Sequence, residues 1–312
     1  MRVFVAGASG AIGRTLVPQL LAAGHEVTGM TRSEESAAAL RSGGVSAAVA
    51  DVFDAAAVRS AMEEARPEVV VHQLTALPSK FDIRKLKGMY EATNRVRTEG
   101  TRNLIDAARA AGARRMVAQS IAFLYAPEGG AVKDEDGQVF DFAPEPFGPT
   151  VGAVLHLERQ VTGADGLDGV VLRYGWFYGP GTFYAKDGST ADDVRKRRQP
   201  IVGKGDGVFS FIHVDDAAAA TVTAVEGGPP GVYNVTDDEP APMRDWLPVF
   251  AEAVGAKRPW RVPVWLAKLA APRMVVDLAT TLRGASNARF KREFGWQPKY
   301  ASWREGFRKG LG

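Results

Sequence analysis

The stretch Val3-Phe4-Val5-Ala6-Gly7-Ala8-Ser9-Gly10-Ala11-Ile12-Gly13 decides the fold. A short apolar run of strand type, Val3–Ala6, passes directly into glycines set three residues apart, and the helical stretch Ile12–Ala23 follows. The first glycine allows the tight turn out of the strand, the second lets the backbone approach a pyrophosphate, and the third lets helix and strand pack closely. The helix that begins there offers unsatisfied N–H groups and its positive dipole end to an anion. A plain tight turn could use the same residues, but a strand before and a helix after is the context a phosphate loop requires. Gly7, Ser9, Gly10, Ile12 and Gly13 are therefore the candidate cradle for a dinucleotide.

Outward from this loop the chain alternates. Strand-like Glu26–Met30, Ala47–Ala50, Val69–His72 and Arg115–Gln119 are separated by helical Glu34–Ser42, Ala55–Ala65 and a long Leu86–Ala111. Such βαβα order predicts an α/β fold, a Rossmann-type doubly wound parallel sheet joined by right-handed crossovers. Tyr125–Pro149 reads as one long loop, Thr150–Val161 as a helix, Val170–Arg173 as a strand, and Val232–Val235 as a strand returning to the sheet. The expected division is a dinucleotide-binding part, 1–173 with 208–235, and a smaller C-terminal substrate-binding region, 174–207 with 236–312.

Ligands of open α/β sheets lie beyond the carboxyl ends of the strands. After the second strand an acid would favour NAD, by accepting from the ribose hydroxyl; here the strand ends Gly29-Met30-Thr31-Arg32-Ser33. A guanidinium can grip a 2′-phosphate through two N–H bonds, so Arg32 predicts NADP(H) over NAD(H). The competing role is a solvated Arg32 beside a helix capped by Ser33. Asp51 and Val52 follow the third strand, and Gln73, Leu74 and Thr75 the fourth, all at positions suited to the cofactor. Asp51 could instead cap the next helix, although Asp54 is better placed.

These residues carry a resemblance. With Gly7–Gly13, Val70-Val71-His72, Asn94-Arg95-Val96, Gly100-Thr101-Arg102-Asn103-Leu104, Leu172-Arg173-Tyr174, Tyr178-Gly179-Pro180-Gly181, Phe211–Asp216, Gly231–Val235 and Phe294–Pro298 in order, the chain resembles the extended short-chain dehydrogenase/reductases of the NAD-dependent epimerase/dehydratase family. The resemblance implies a tyrosine and a lysine four residues apart on one helix face, with the tyrosine as general acid or base. Here the matching helix reads Thr150-Val151-Gly152-Ala153-Val154-Leu155-His156, which puts Val151 at the tyrosine position and Leu155 at the lysine position. Counting back from Tyr125, the family's serine position holds Ile121, and strand alternation turns the neighbouring Ser120 the other way. Substitute catalytic candidates are Tyr125, Tyr178, Ser120 and His156. Tyr174, Trp176, Phe177 and Tyr178 are expected to line the nicotinamide end. The resemblance also implies a homodimer through a four-helix bundle built from Leu86–Ala111 and Thr150–Val161.

Composition bounds what remains. The 312 residues contain no cysteine, which excludes a thiol nucleophile and thiolate metal sites; a cytoplasmic location is expected. Net charge is only +3, so charge does not imply nucleic acid. The chain starts almost at once with a strand, so no signal peptide is expected. Lys268, Pro272, Arg273 and Asp277 interrupt the apolar Trp265–Leu282, so no membrane span is expected there. His72 and His213 are isolated in sequence and predict no metal site. Arg195-Lys196-Arg197-Arg198 reads as a solvated helix end rather than an anion clamp. The function expected is an NADP(H)-dependent oxidoreductase or epimerase/dehydratase-type enzyme acting on a small organic substrate without the Tyr–Lys pair. A redox-inactive cyclase or isomerase and a non-enzymatic dinucleotide sensor are the alternatives.

Overall fold

The computed structural model describes residues 1–78, 86–140 and 147–312. The first half holds strands β1 (Arg2–Ala6), β2 (Glu26–Thr31), β3 (Ser46–Val49), β4 (Val69–His72) and β5 (Arg115–Ile121). Between them run helices α1 (Ala11–Ala22), α2 (Glu34–Ser42), α3 (Ala55–Ala65), α4 (Leu86–Arg95) and α5 (Thr101–Ala110), with α6 (Gly148–Thr162) after β5. Across the sheet the order is Gly231–Val235, Asp168–Tyr174, β5, β4, β1, β2, β3, and every neighbouring pair is parallel. The order reverses between β1 and β4, the switch point at which this architecture opens a crevice.

Alternation along β1 divides the core. Val3 and Val5 face a layer made with Leu16, Val17 and Leu20 of α1 and Ala217, Ala220 and Ala224 of helix Val214–Glu226. Phe4 and Ala6 face the opposite layer, with Val58 and Met62 of α3, Leu104 and Ala108 of α5, and Leu157 and Val161 of α6. Because both faces are covered, β4 reads as the unbroken buried run Val69-Val70-Val71-His72. A third cluster, rich in Tyr178, Phe211, Trp246, Phe250, Trp303 and Phe307, forms the core of the C-terminal elements.

Several boundaries differ from the sequence expectation. The expected single helix Leu86–Ala111 contains a π-helical turn, Val96–Gly100, between α4 and α5. There the Thr98 hydroxyl donates to the carbonyl of Asn94, and a Cβ on Gly100 would stand 3.2 Å from the Val52 methyls. The strand β5 runs on to Ile121. The described part of Tyr125–Pro149 is more than a loop. Val132–Lys133 pairs in parallel with Gly284–Ala285, Tyr125 bridges Val139, and Glu135 accepts the Asn234 N–H at 2.8 Å. Residues 141–146 of that stretch lie outside the described residues. The basic run is held by its own neighbourhood: Arg195 donates to the carbonyls of Val254 and Lys186, and Arg198 pairs with Asp193.

Candidate active site

The glycines separate into two kinds. Gly7 has φ +99°, and a Cβ on it would lie 2.9 Å from the Gln73 backbone; a Cβ on Gly13 would be driven into the carbonyl oxygen of Gly7. Both are demanded by the fold. Gly10 has an ordinary extended backbone and its Cβ would meet only the Gly7 carbonyl oxygen, at 3.2 Å. A side chain there would press on that one oxygen and otherwise meet nothing within 4 Å, so most of this exposed surface is open to a ligand. Beside it, α1 starts without a side-chain cap and without an acid in its first turn. By contrast Ser33 caps α2, with Glu34 and Glu35 following, and Asp54 caps α3. The N-terminus of α1 thus stays electropositive and open. Ser9 and Gly10 are exposed there, Ile12 is buried beneath, and the Ser9 carbonyl holds the Arg14 guanidinium at 3.0 Å.

Arg32 stands exposed immediately after β2, and its guanidinium forms no hydrogen bond or ion pair with the described residues. Asp51 is also exposed and closes a local turn by accepting the Phe53 N–H at 2.9 Å. Since Asp54 takes the Ala56 and Ala57 N–H groups, Asp51 is released from capping. Val52 is buried, its carbonyl held by Asn103. Gln73 follows β4, with its N–H on the Ala6 carbonyl at 2.8 Å and its Nε2 on the Tyr174 hydroxyl at 3.3 Å. Its Oε1 is buried and has no donor among the described residues. Leu74 and Thr75 continue half-buried, and the Leu74 N–H donates to His72 Nδ1 at 3.3 Å. Gly7, Gly10, Gly13, Gln73, Leu74 and Thr75 therefore come together at the switch point between β1 and β4. Arg32 lies one strand further out, and Asp51 and Val52 two.

The other half of the site is apolar. Ile121, Val151 and Leu155, the three positions that the family resemblance pairs with serine, tyrosine and lysine, pack into one cluster with Leu124, Phe147 and Val154. No tyrosine or lysine occurs anywhere in α6. Ser120 points away from this cluster and donates to Glu158 Oε1 at 2.7 Å. Glu158 in turn receives Arg173 through Nε at 2.8 Å and Nη2 at 2.6 Å. Arg173 also donates to the Tyr125 hydroxyl at 3.0 Å, which donates onward to Asn234 Oδ1 at 2.8 Å. This enclosed chain ties α6 to three strands, and it is invisible in the sequence because its members lie far apart along the chain.

The structure places the four substitute candidates as follows. Ser120 and Tyr125 are buried members of that chain, and burial pushes the Tyr125 hydroxyl up. Tyr178, expected along the nicotinamide end, has its ring enclosed edge-on by Phe211, His213 and Phe307, in the space a Gly306 side chain would need. Burial raises its hydroxyl further still. His156 lies exposed on the outer side of α6. Trp176 does remain half-exposed, with Phe123 stacked on it at 4.1 Å.

A nucleotide-type phosphate turn joined to a parallel sheet of this order defines a dinucleotide-binding α/β enzyme class, and comparison with known proteins is narrower. Residues 3–236 match the NAD dependent epimerase/dehydratase family, and the chain belongs to that family. It is 50% identical to a Streptomyces sp. protein named 3-diazoavenalumate denitrifying reductase, over 98% of this chain and 99% of that one. It is 31% identical to a UDP-glucose 4-epimerase of Mycolicibacterium smegmatis, over 96% and 95% of the two chains. Among solved structures, the Thermus thermophilus UDP-glucose 4-epimerase in complex with NAD superposes with a TM-score of 0.75 at 27% identity, covering 100% of this chain and 98% of the other. With relatives named as reductases and epimerases at this coverage, the protein is an NAD(P)-dependent oxidoreductase/epimerase-like enzyme. No helix among the described residues is long and apolar enough to cross a membrane.

Proposed function

We propose that this enzyme is an NADP(H)-dependent reductase of a small organic substrate whose reduction asks no proton of α6. The observation that carries this reading is the apolar cluster of Ile121, Val151 and Leu155, set beside a glycine turn that is intact. An enzyme that moves a proton to or from a sugar hydroxyl needs an ionisable group at that place. A wall of valine, leucine and isoleucine suits an acceptor that takes hydride alone.

The residues fit a dinucleotide. Gly10 leaves its surface clear, α1 begins uncapped, Gln73 Oε1 is a buried acceptor without a donor, and Arg32 is a cation without a partner among the described residues. Gly7, Ser9, Gly10, Ile12 and Gly13 would take the pyrophosphate; Arg32 would take a 2′-phosphate; Asp51 and Val52 would border the adenine; Gln73, Leu74 and Thr75 would border the ribose near the nicotinamide. The cofactor supplies a hydride. The name of the Streptomyces relative, a denitrifying reductase of a diazo compound, supports a diazonium-type acceptor. At an aryl diazonium carbon a donated hydride pair would form the new C–H bond while the C–N pair would leave with dinitrogen, so charge would balance without an acid. The chain's own part is to hold the two reactants together and keep water out. We infer further that the enzyme acts in the cytoplasm as a homodimer through α4, α5 and α6.

The test is oxidation of NADPH, followed at its nicotinamide absorbance, with an aryl diazonium salt as acceptor and gas evolution measured in parallel. Turnover with one dinitrogen per NADPH is expected. Arg32→Ala should weaken NADPH by about 1–3 kcal/mol, as for a lost charge-assisted contact, and leave NADH nearly unchanged. Equal losses for the two cofactors would remove Arg32 from the phosphate, and binding without any turnover would favour a sensor.

A further inference from the structure

Three arginines are buried among the described residues, and two are provided for. Arg173 has Glu158, and Arg115 has the carbonyls of Ala224, Gly227 and Gly228 together with Asp168. Arg97 is different. Its side chain enters the protein from the π turn, and among the described residues its guanidinium makes one hydrogen bond, from Nη1 to Asn94 Oδ1 at 3.3 Å. Among the described residues no carboxylate lies near enough to act on its charge; the Tyr90 hydroxyl is the group that favours it electrostatically. Buried charges are almost always paired, so a cation kept this way points to a partner that the described residues do not supply.

A second observation lies one turn earlier on the same helix. The Thr93 hydroxyl is buried and has no hydrogen-bond partner among the described residues. Tyr90, Thr93, Asn94 and Arg97 thus form a polar stripe at helical spacing inside the protein. The stripe faces the reacting end of the site. Asn94 Nδ2 donates to Thr150 Oγ1 at 3.3 Å, next to Val151, and the Arg97 charge acts on His72 at the end of β4. Tyr90 meets Phe147 edge-on at 6.2 Å, and both belong to the apolar cluster that contains Ile121, Phe123, Val151 and Leu155.

We propose that Arg97 is the anion-recognition residue of the substrate site and takes the carboxylate of a small aromatic acid whose ring lies against the Tyr90, Phe147 and Phe123 wall. This rests on the reductase reading above and specifies its substrate. The fork of one guanidinium matches the two oxygens of one carboxylate. A phosphate would call for a second cation, but burial pushes His72 down to about 4, so it is neutral at pH 7. Burial also pushes Arg97 down to about 10, which leaves it charged at pH 7. Asn94, itself held by Thr150, fixes the direction in which the fork points.

The experiment is calorimetric titration with cinnamate and with cinnamamide, which differ in charge but not in ring, with and without saturating NADPH. Wild type should bind the carboxylate on the order of ten-fold more tightly than the amide. In Arg97→Gln the preference should fall below about two-fold while NADPH affinity stays unchanged. Equal binding of the two probes by wild type, binding of neither, or an undiminished preference in Arg97→Gln overturns the proposal. So does failure of Arg97→Gln to fold, since a site residue carrying an unpaired charge should not be required by the core. Absence of NADPH binding by wild type would instead defeat the cofactor reading, because the carboxylate preference is also measured without NADPH.

Discussion

At the scale of single residues, His72 shows how a buried polar group fixes its own state. Nδ1 accepts the Leu74 N–H, so Nε2 carries the proton and donates to Thr101 Oγ1 at 3.1 Å. Both nitrogens are used by the neutral ring, and protonation would break the contact with Leu74. Burial, reinforced by the Arg97 charge, holds the imidazole at about 4 against an ordinary 6.5. In the unfolded chain the ring therefore protonates first as pH falls. The stability His72 confers is complete above pH 6.5 and is lost on the way down to about 4, by about 3 kcal/mol in total. Urea midpoints measured at pH 7.5 and at about 4.5 should fall further for wild type than for His72→Gln. Equal falls in the two proteins would show that other groups govern the acid limb.

At the scale of elements, α6 is placed by its far end and left apolar at its near end. The Glu158–Arg173 pair is enclosed, bidentate and supported by Ser120 and Tyr125. Removing one charge from such a pair strands the other, at a cost of about 3–5 kcal/mol. Glu158→Gln should lose that much in thermal or urea unfolding, whereas Ser120→Ala, which removes one neutral donor, should lose about 1 kcal/mol. Similar losses from both would mean that the pair is not a unit. The contrast also explains what can be read in advance. The glycine turn and the alternation of strand and helix are legible because each is local: a turn, a packing contact and a period are written within a few neighbouring residues. The apolar character of α6 at Val151 and Leu155 is legible directly in its sequence. The Glu158 network is not, because its partners are brought together only when the sheet closes. The stripe from Tyr90 to Arg97 has readable spacing, but nothing in the sequence says that this face of the helix turns inward. The surroundings of Tyr178 are hidden in the sequence for a related reason. Its place beside a glycine-rich turn suggests a site wall, while Phe307, one of the rings that enclose it, comes from more than a hundred residues away.

For the whole molecule, the homodimer inferred above makes a direct demand on the outer side of α6. Gly152 and His156 are exposed there, one turn apart, and a Cβ on Gly152 would meet nothing within 4 Å. The monomer therefore tolerates a side chain that a helix bundle does not. Light scattering should give twice the chain mass for wild type and the single mass for Gly152→Arg, with the melting temperature of the monomer no lower than that of the wild-type chain diluted below its dimer dissociation constant. A dimeric Gly152→Arg would place the interface elsewhere.

The sheet order has a consequence for how the chain is made. Strand Asp168–Tyr174 is bordered on one side by β5, already present when it emerges, and on the other by Gly231–Val235, which is synthesised much later. Until then its Val170-Val171-Leu172 backbone presents an unpaired, apolar edge. At ribosomal rates of roughly 5–20 residues per second the exposure lasts on the order of seconds, long compared with collapse of the preceding units. The nascent chain should therefore be a chaperone client chiefly within that window, and codon changes that slow elongation between these two strands should lower soluble yield more than equal delays placed before β5.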